Sequence, residues 1–114
     1  MPYIETKTTA KISPEQEAAI RAELGKAIEL IRGKSEQWLM LSFFDECRMA
    51  FQGTTDPDIA IVEVNIFGSA KESEYNALTA RITEILTNHL ALQPYRIYVK
   101  YDEVDTWGYA GENF

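Results

Sequence analysis

Two stretches of 3.6-residue periodicity, each set between runs of β-forming residues, constrain the fold more than any other feature of the chain. The first carries its own start signal. Ser13 stands at the N-cap, Pro14 at N1, where a missing N–H costs nothing, and Gln16 at N3 completes a capping box. Ile20, Leu24, Ala27, Ile28 and Ile31 then recur on one apolar stripe, and Gly33 is the expected C′ residue. A second helix is expected from about Ser73 to Leu90, with Leu78, Ile82, Ile85, Leu86 and Leu90 on its stripe and Pro94 closing it. Strands are expected at Pro2–Thr8, Trp38–Phe44, Ile59–Phe67 and Ile97–Tyr101, all rich in β-branched and aromatic residues.

The order strand, helix, strand thus occurs twice, on either side of a turn-rich insert, Gln52-Gly53-Thr54-Thr55-Asp56-Pro57. Two βαβ units with right-handed crossovers predict an α/β fold: a four-stranded mixed sheet with two helices on one face, forming one domain over residues 1–114. Leu39–Phe44 and Ile59–Val62 are nearly continuous apolar runs and read as the central strands. Because both helices lie on one side, the sheet's other face is expected to be apolar and to be buried by self-association.

Charge and composition narrow the function classes. Eighteen acidic against eleven basic side chains leave a net charge of −7, with the basic residues scattered, which argues against a nucleic-acid partner. Cys47 is the only cysteine and His89 the only histidine, so neither an internal disulfide nor a tetrahedral zinc site is implied. Cys47 is expected to be a small buried hydrophobe, and His89 a cation at the negative end of the second helix. Asp102-Glu103-Val104-Asp105 lacks the spacing of a calcium loop and reads as a solvated turn. There is no glycine-rich phosphate loop, and no cofactor is expected. The opening residues do not form a signal peptide and no apolar run approaches membrane length, so the expectation is a cytoplasmic protein without a membrane partner.

Pro2, directly after the initiator, is the sharpest chemical feature. Removal of Met1 would expose a secondary amine, and an apolar pocket or a neighbouring cation can lower its basicity into the range of a general base. With Met1 retained, the same nitrogen is a tertiary amide and has no basicity.

Met1-Pro2 is accompanied by Gly33-Lys34, Met49-Ala50-Phe51-Gln52-Gly53-Thr54-Thr55-Asp56-Pro57 and Asn65-Ile66-Phe67-Gly68. Arg96-Ile97-Tyr98-Val99-Lys100-Tyr101, Trp107-Gly108-Tyr109 and a closing Asn113-Phe114 follow. In that order and spacing, over essentially its whole length, the sequence resembles the macrophage migration inhibitory factor family of the tautomerase superfamily. The resemblance implies a homotrimer whose sheets form a central barrel, with active sites between subunits and a small 2-keto acid as substrate. It implies that Pro2 is the catalytic base, that Lys34 binds substrate, and that Phe67 presents its backbone N–H. Tyr98 would enter from the neighbouring subunit, and Phe114 would stand near the pocket mouth.

Two departures qualify the transfer. Lys100 replaces the asparagine of the vertebrate members, so the pocket is expected to carry a second, substrate-binding cation that would lower the Pro2 pKa further. The vertebrate Cys-x-x-Cys is absent, the stretch reading Asp56-Pro57-Asp58-Ile59-Ala60-Ile61, so thiol oxidoreductase activity is not expected. The reading is a keto–enol tautomerase of the phenylpyruvate type. One alternative is a cytokine-like interaction protein, secreted without a signal peptide, that binds a host or cell-surface receptor. The other is a hydratase or dehalogenase using the same proline, for which the positions of Glu5 and Arg96 decide.

Overall fold

The computed structural model describes residues 1–114. The chain runs β1 (Pro2–Thr8), α1 (Pro14–Ala27), β2 (Met40–Phe44), β3 (Ala60–Phe67), α2 (Glu72–Leu90) and β4 (Ile97–Val104), and a short hairpin, β5 (Gly108–Tyr109) with β6 (Glu112–Asn113), follows. The sheet order is β2-β1-β3-β4. β1 pairs in parallel with β2, and β3 with β4, as two βαβ units require, while β1 and β3 are antiparallel.

The start of α1 forms as its sequence dictates. Gln16 N donates to Ser13 Oγ, and the Gln16 side chain accepts from Ser13 N at 2.8 Å. Its end differs from expectation: the α-helix stops at Ala27, a 3₁₀ turn covers Ile28–Leu30, and Gly33 is not its C′ residue. Gly33, at φ +83°, instead lets the chain reverse in a turn where Lys34 N donates to Ile31 O. Ile31 remains fully buried although it lies beyond the helix.

Strand alternation sends Pro2, Ile4, Thr6 and Thr8 of β1, and Ala60, Val62, Val64 and Ile66 of β3, toward the helices. Of these, Ile4, Ala60, Val62, Val64 and Ile66 join Ile20, Leu24 and Ile28 of the first helical segment and Leu78, Ile82, Ile85 and Leu86 of α2 in a continuous core.

Two expectations about the sheet fail for one reason. β2 is an edge strand, not a central one, and the strands flanked on both sides are β1 and β3. An apolar run marks two covered faces but says nothing about position in the sheet. In β2, Leu41 and Phe43 pack on the core, while Met40 and Phe44 are exposed on the opposite face. That opposite face is also not apolar. Tyr3 Oη lies 2.6 Å from Ser42 Oγ and donates to Glu5, Lys7 pairs with Glu5 at 3.2 Å, and Lys100 pairs with Glu63 at 3.0 Å. This face therefore carries hydrogen bonds and ion pairs along β1, β3 and β4, with apolar side chains at the β2 edge. No helix is long and apolar enough to cross a membrane.

Candidate active site

β1 and β3 bring the site together at one end of the sheet. Pro2 is buried and sits opposite Ile66, so Phe67 begins where the chain start ends. Phe67 N donates to Met1 O at 3.0 Å, and Lys34, delivered by the turn at Gly33, donates from Nζ to Phe67 O at 2.9 Å. The amine that begins the chain is held below its ordinary pKa, first by desolvation and then by the Lys34 ammonium. Partial burial beside a cation disfavours a second positive charge on this amine, which is that of Met1, one residue before Pro2.

The same place carries an aromatic wall. Phe114 packs against Phe67 at 5.8 Å between ring centroids, Tyr109 stacks on Phe114 at 6.5 Å, and Trp38 meets Tyr109 edge-on at 5.2 Å. The β5–β6 hairpin holds Phe114 here, with Phe114 N donating to Trp107 O. A groove of about 990 Å³ opens beside it, lined by Pro2, Trp38, Met40, Asn65, Trp107 and Tyr109 among others. Met1 joins the two regions, because it lines this groove and also meets Phe67 and Lys34.

The structure therefore gathers Pro2, Lys34, Phe67 and Phe114 from four separate parts of one chain. Tyr98 and Lys100 do not join them in the same chain. Tyr98 pairs with Ile61, five residues from Ile66, or roughly 17 Å along the sheet. Lys100 is bonded to Glu63 and faces Asp102 at 3.6 Å, and these contacts raise its pKa, the Glu63 hydrogen bond most.

The remaining candidates have structural partners. Arg96 is buried and donates to the carbonyls of Pro57, Phe51 and Thr54 in the insert, and its neighbour in the sheet, Ile97, pairs with Ala60 at the opposite end of β3 from Ile66. Glu5 accepts from Tyr3 and pairs with Lys7, and the Tyr3 hydrogen bond does most to lower its pKa. Neither Arg96 nor Glu5 supplies a second functional group beside Pro2 of its own chain. His89 does end α2, but its ring meets Glu23 of α1. Glu103, inside the expected solvated turn, lies in β4 and accepts from Tyr75 Oη at 2.6 Å. Cys47 is only half-buried, its thiol donating to Phe44 O at 3.3 Å, so it is not the buried hydrophobe expected.

Trp38 and Tyr109 were not predicted as site residues. Trp38 reads as the start of a strand, yet it lies in a 3₁₀ turn, Glu36–Trp38, just before β2.

Comparison with known proteins supplies the lineage. The family model of macrophage migration inhibitory factor matches residues 1–113. The structure of Leishmania major MIF2 is 30% identical with a TM-score of 0.93, covering 100% of this chain and 97% of that one. A macrophage migration inhibitory factor homologue from Prochlorococcus marinus is 24% identical with a TM-score of 0.88, covering 98% of each chain. Pt0534 inactivated by 2-oxo-3-pentynoate shares the fold at 18% identity and a TM-score of 0.80, over 96% of this chain and 93% of that one. A search of curated protein sequences returned no match. With the family model spanning nearly every residue and the mixed sheet and paired helices superposing on the family's structures, the chain belongs to the macrophage migration inhibitory factor family, on the tautomerase fold.

Proposed function

We propose that the protein is a cytoplasmic, cofactor-free keto–enol tautomerase of the phenylpyruvate type, working as a homotrimer with Pro2 as general base once Met1 is removed. The observation that carries this reading is the convergence of Met1, Lys34 and Phe67 at the start of β1. Loss of Met1 does two things there. It frees the Pro2 nitrogen as a secondary amine, and it releases the Phe67 N–H from the Met1 carbonyl.

The chemistry is a proton moved and returned. A 2-keto acid seats its carboxylate toward Lys34, and Pro2 takes the proton from the carbon next to the ketone. The electron pair of that C–H bond becomes the enolate, stabilised by the Lys34 charge and the Phe67 N–H. Return of the proton to oxygen gives the enol, and the reverse sequence regenerates the ketone. The wall of Trp38, Trp107 and Tyr109 suits an aryl substituent. Tyr98 and Lys100 serve the pocket of a neighbouring copy in this reading, which accounts for their distance from Pro2 of their own chain.

The test is an assay with phenylpyruvate and its enol on protein of known intact mass. Met-free protein is expected to be active, and 2-oxo-3-pentynoate is expected to modify its N-terminal peptide once per chain. In that step the neutral proline nitrogen adds to the alkyne and the carbon gains a proton. Protein retaining Met1 should be inactive and unmodified. A Met-free trimer that neither turns over nor takes up the reagent defeats the proposal. The receptor-binding alternative rests on family likeness alone.

Lys100 gives a second prediction. Lys100→Asn is expected to weaken binding of keto acids more than of their esters. The effect should be modest, because Glu63 and Asp102 already balance much of the charge. Equal losses for acid and ester would place Lys100 outside the pocket.

A further inference from the structure

We infer that Arg96 is a positioning residue for substrate binding, fixing the ring of Tyr98 through Phe51. This rests on the proposed role of Tyr98 in a neighbouring pocket. Arg96 is 3% exposed, and its partners are backbone carbonyls rather than a carboxylate. Nε donates to Pro57 O at 3.0 Å, Nη1 to Phe51 O at 3.1 Å and Nη2 to Thr54 O at 3.3 Å. A buried charge is costly unless hydrogen-bonded, so the cation and the insert hold each other in place. Only a planar fork reaches three carbonyls in this way, since a lysine offers its donors from a single point.

The clamp leads to Tyr98 through two ring contacts. The guanidinium lies 5.5 Å from the centroid of Phe51, and Phe51 meets Tyr98 nearly edge-on at 4.7 Å. Phe51 is itself pinned by reciprocal backbone bonds with Thr54, whose carbonyl also accepts from Arg96. Tyr98 is 58% exposed, so its own burial does not fix its orientation. A cleft of about 150 Å³ lies between the insert and the sheet, lined by Met49, Phe51, Ile61, Arg96 and Tyr98 among others. That space lets the Tyr98 ring swing when Phe51 no longer stands against it. Arg96 thus connects the conformation of the insert to a ring that the chain offers outward.

The experiment compares wild type, Arg96→Lys and Phe51→Leu as Met-free proteins. Phenylpyruvate kinetics are read beside the ring resonances of labelled tyrosine, with Tyr98 assigned from Tyr98→Phe. Both variants are expected to raise KM about two- to tenfold, the scale of one lost aromatic edge contact, with kcat within about twofold. Both should also move the Tyr98 resonance. If Arg96→Lys does not fold, Phe51→Leu decides. A Tyr98 resonance at its wild-type position in a folded variant overturns the inference, and so does a moved ring with unchanged KM. An inactive wild-type protein defeats the tautomerase reading instead, and the ring resonance alone then decides whether Arg96 places Tyr98.

Discussion

Pro2→Ala in Met-free protein is expected to lower turnover by roughly two to four powers of ten, the usual worth of a general base. Alanine keeps an amine at the chain start but gives up the pyrrolidine ring, which fixes φ and so the direction of the nitrogen lone pair. Pro2 is also buried opposite Ile66, so its nitrogen is held by the sheet rather than by solvent. A primary amine at that place rotates, and loss of orientation alone can account for much of the rate. The fold should survive, because the core rests on Ile4, Val62, Val64 and Ile66 against the helices rather than on the chain start. Steady-state rates with phenylpyruvate, beside far-UV circular dichroism and native mass, make the comparison. An unchanged rate in folded Pro2→Ala would end the mechanism, whatever the wild-type activity.

The elements that hold this site were legible to different degrees, for physical reasons. Local chemistry wrote the start of α1 plainly, since Ser13, Pro14 and Gln16 interact within one turn. Strand positions were legible from composition, but the place of β2 at the edge was not, because edge and centre differ in pairing partners that lie far away in sequence. The polar open face was hidden in the same way. Tyr3, Glu5, Lys7 and Lys100 alternate with residues that face the helices, and only register shows that they share one surface. Within the site, Pro2 was marked by its place after Met1, whereas Lys34, Phe67 and Phe114 came from resemblance to a family, not from spacing. Their convergence depends on a turn at Gly33, an antiparallel pair and a terminal hairpin acting together. Arg96 stood out in the sequence only within a motif and as a candidate second group beside Pro2, and nothing local marks an arginine whose partners are three carbonyls some forty residues away.

Lys34→Met is expected to act twice, and the pH profile separates the two effects. A proline base works only when neutral, so kcat/KM should rise with pH through the proline pKa and level off above it. The Met1 amine, one residue before the proline, lies below its ordinary pKa because of desolvation first and the Lys34 charge second, and the Pro2 amine freed by loss of Met1 is expected to feel the same cation. Taking that charge away leaves desolvation in place and moves the rising limb to higher pH, so less of the base is neutral at pH 7. The plateau, where proline is neutral in both proteins, should still fall by about two to three powers of ten, the scale of losing one group that stabilises developing negative charge. Methionine retains much of the stem volume, so the turn from Ile31 to Lys34, made by backbone atoms, should persist. A limb that stays put with a lowered plateau would mean that Lys34 binds substrate without tuning the proline. A shifted limb with an intact plateau would mean the reverse, and an unchanged profile would remove Lys34 from the site.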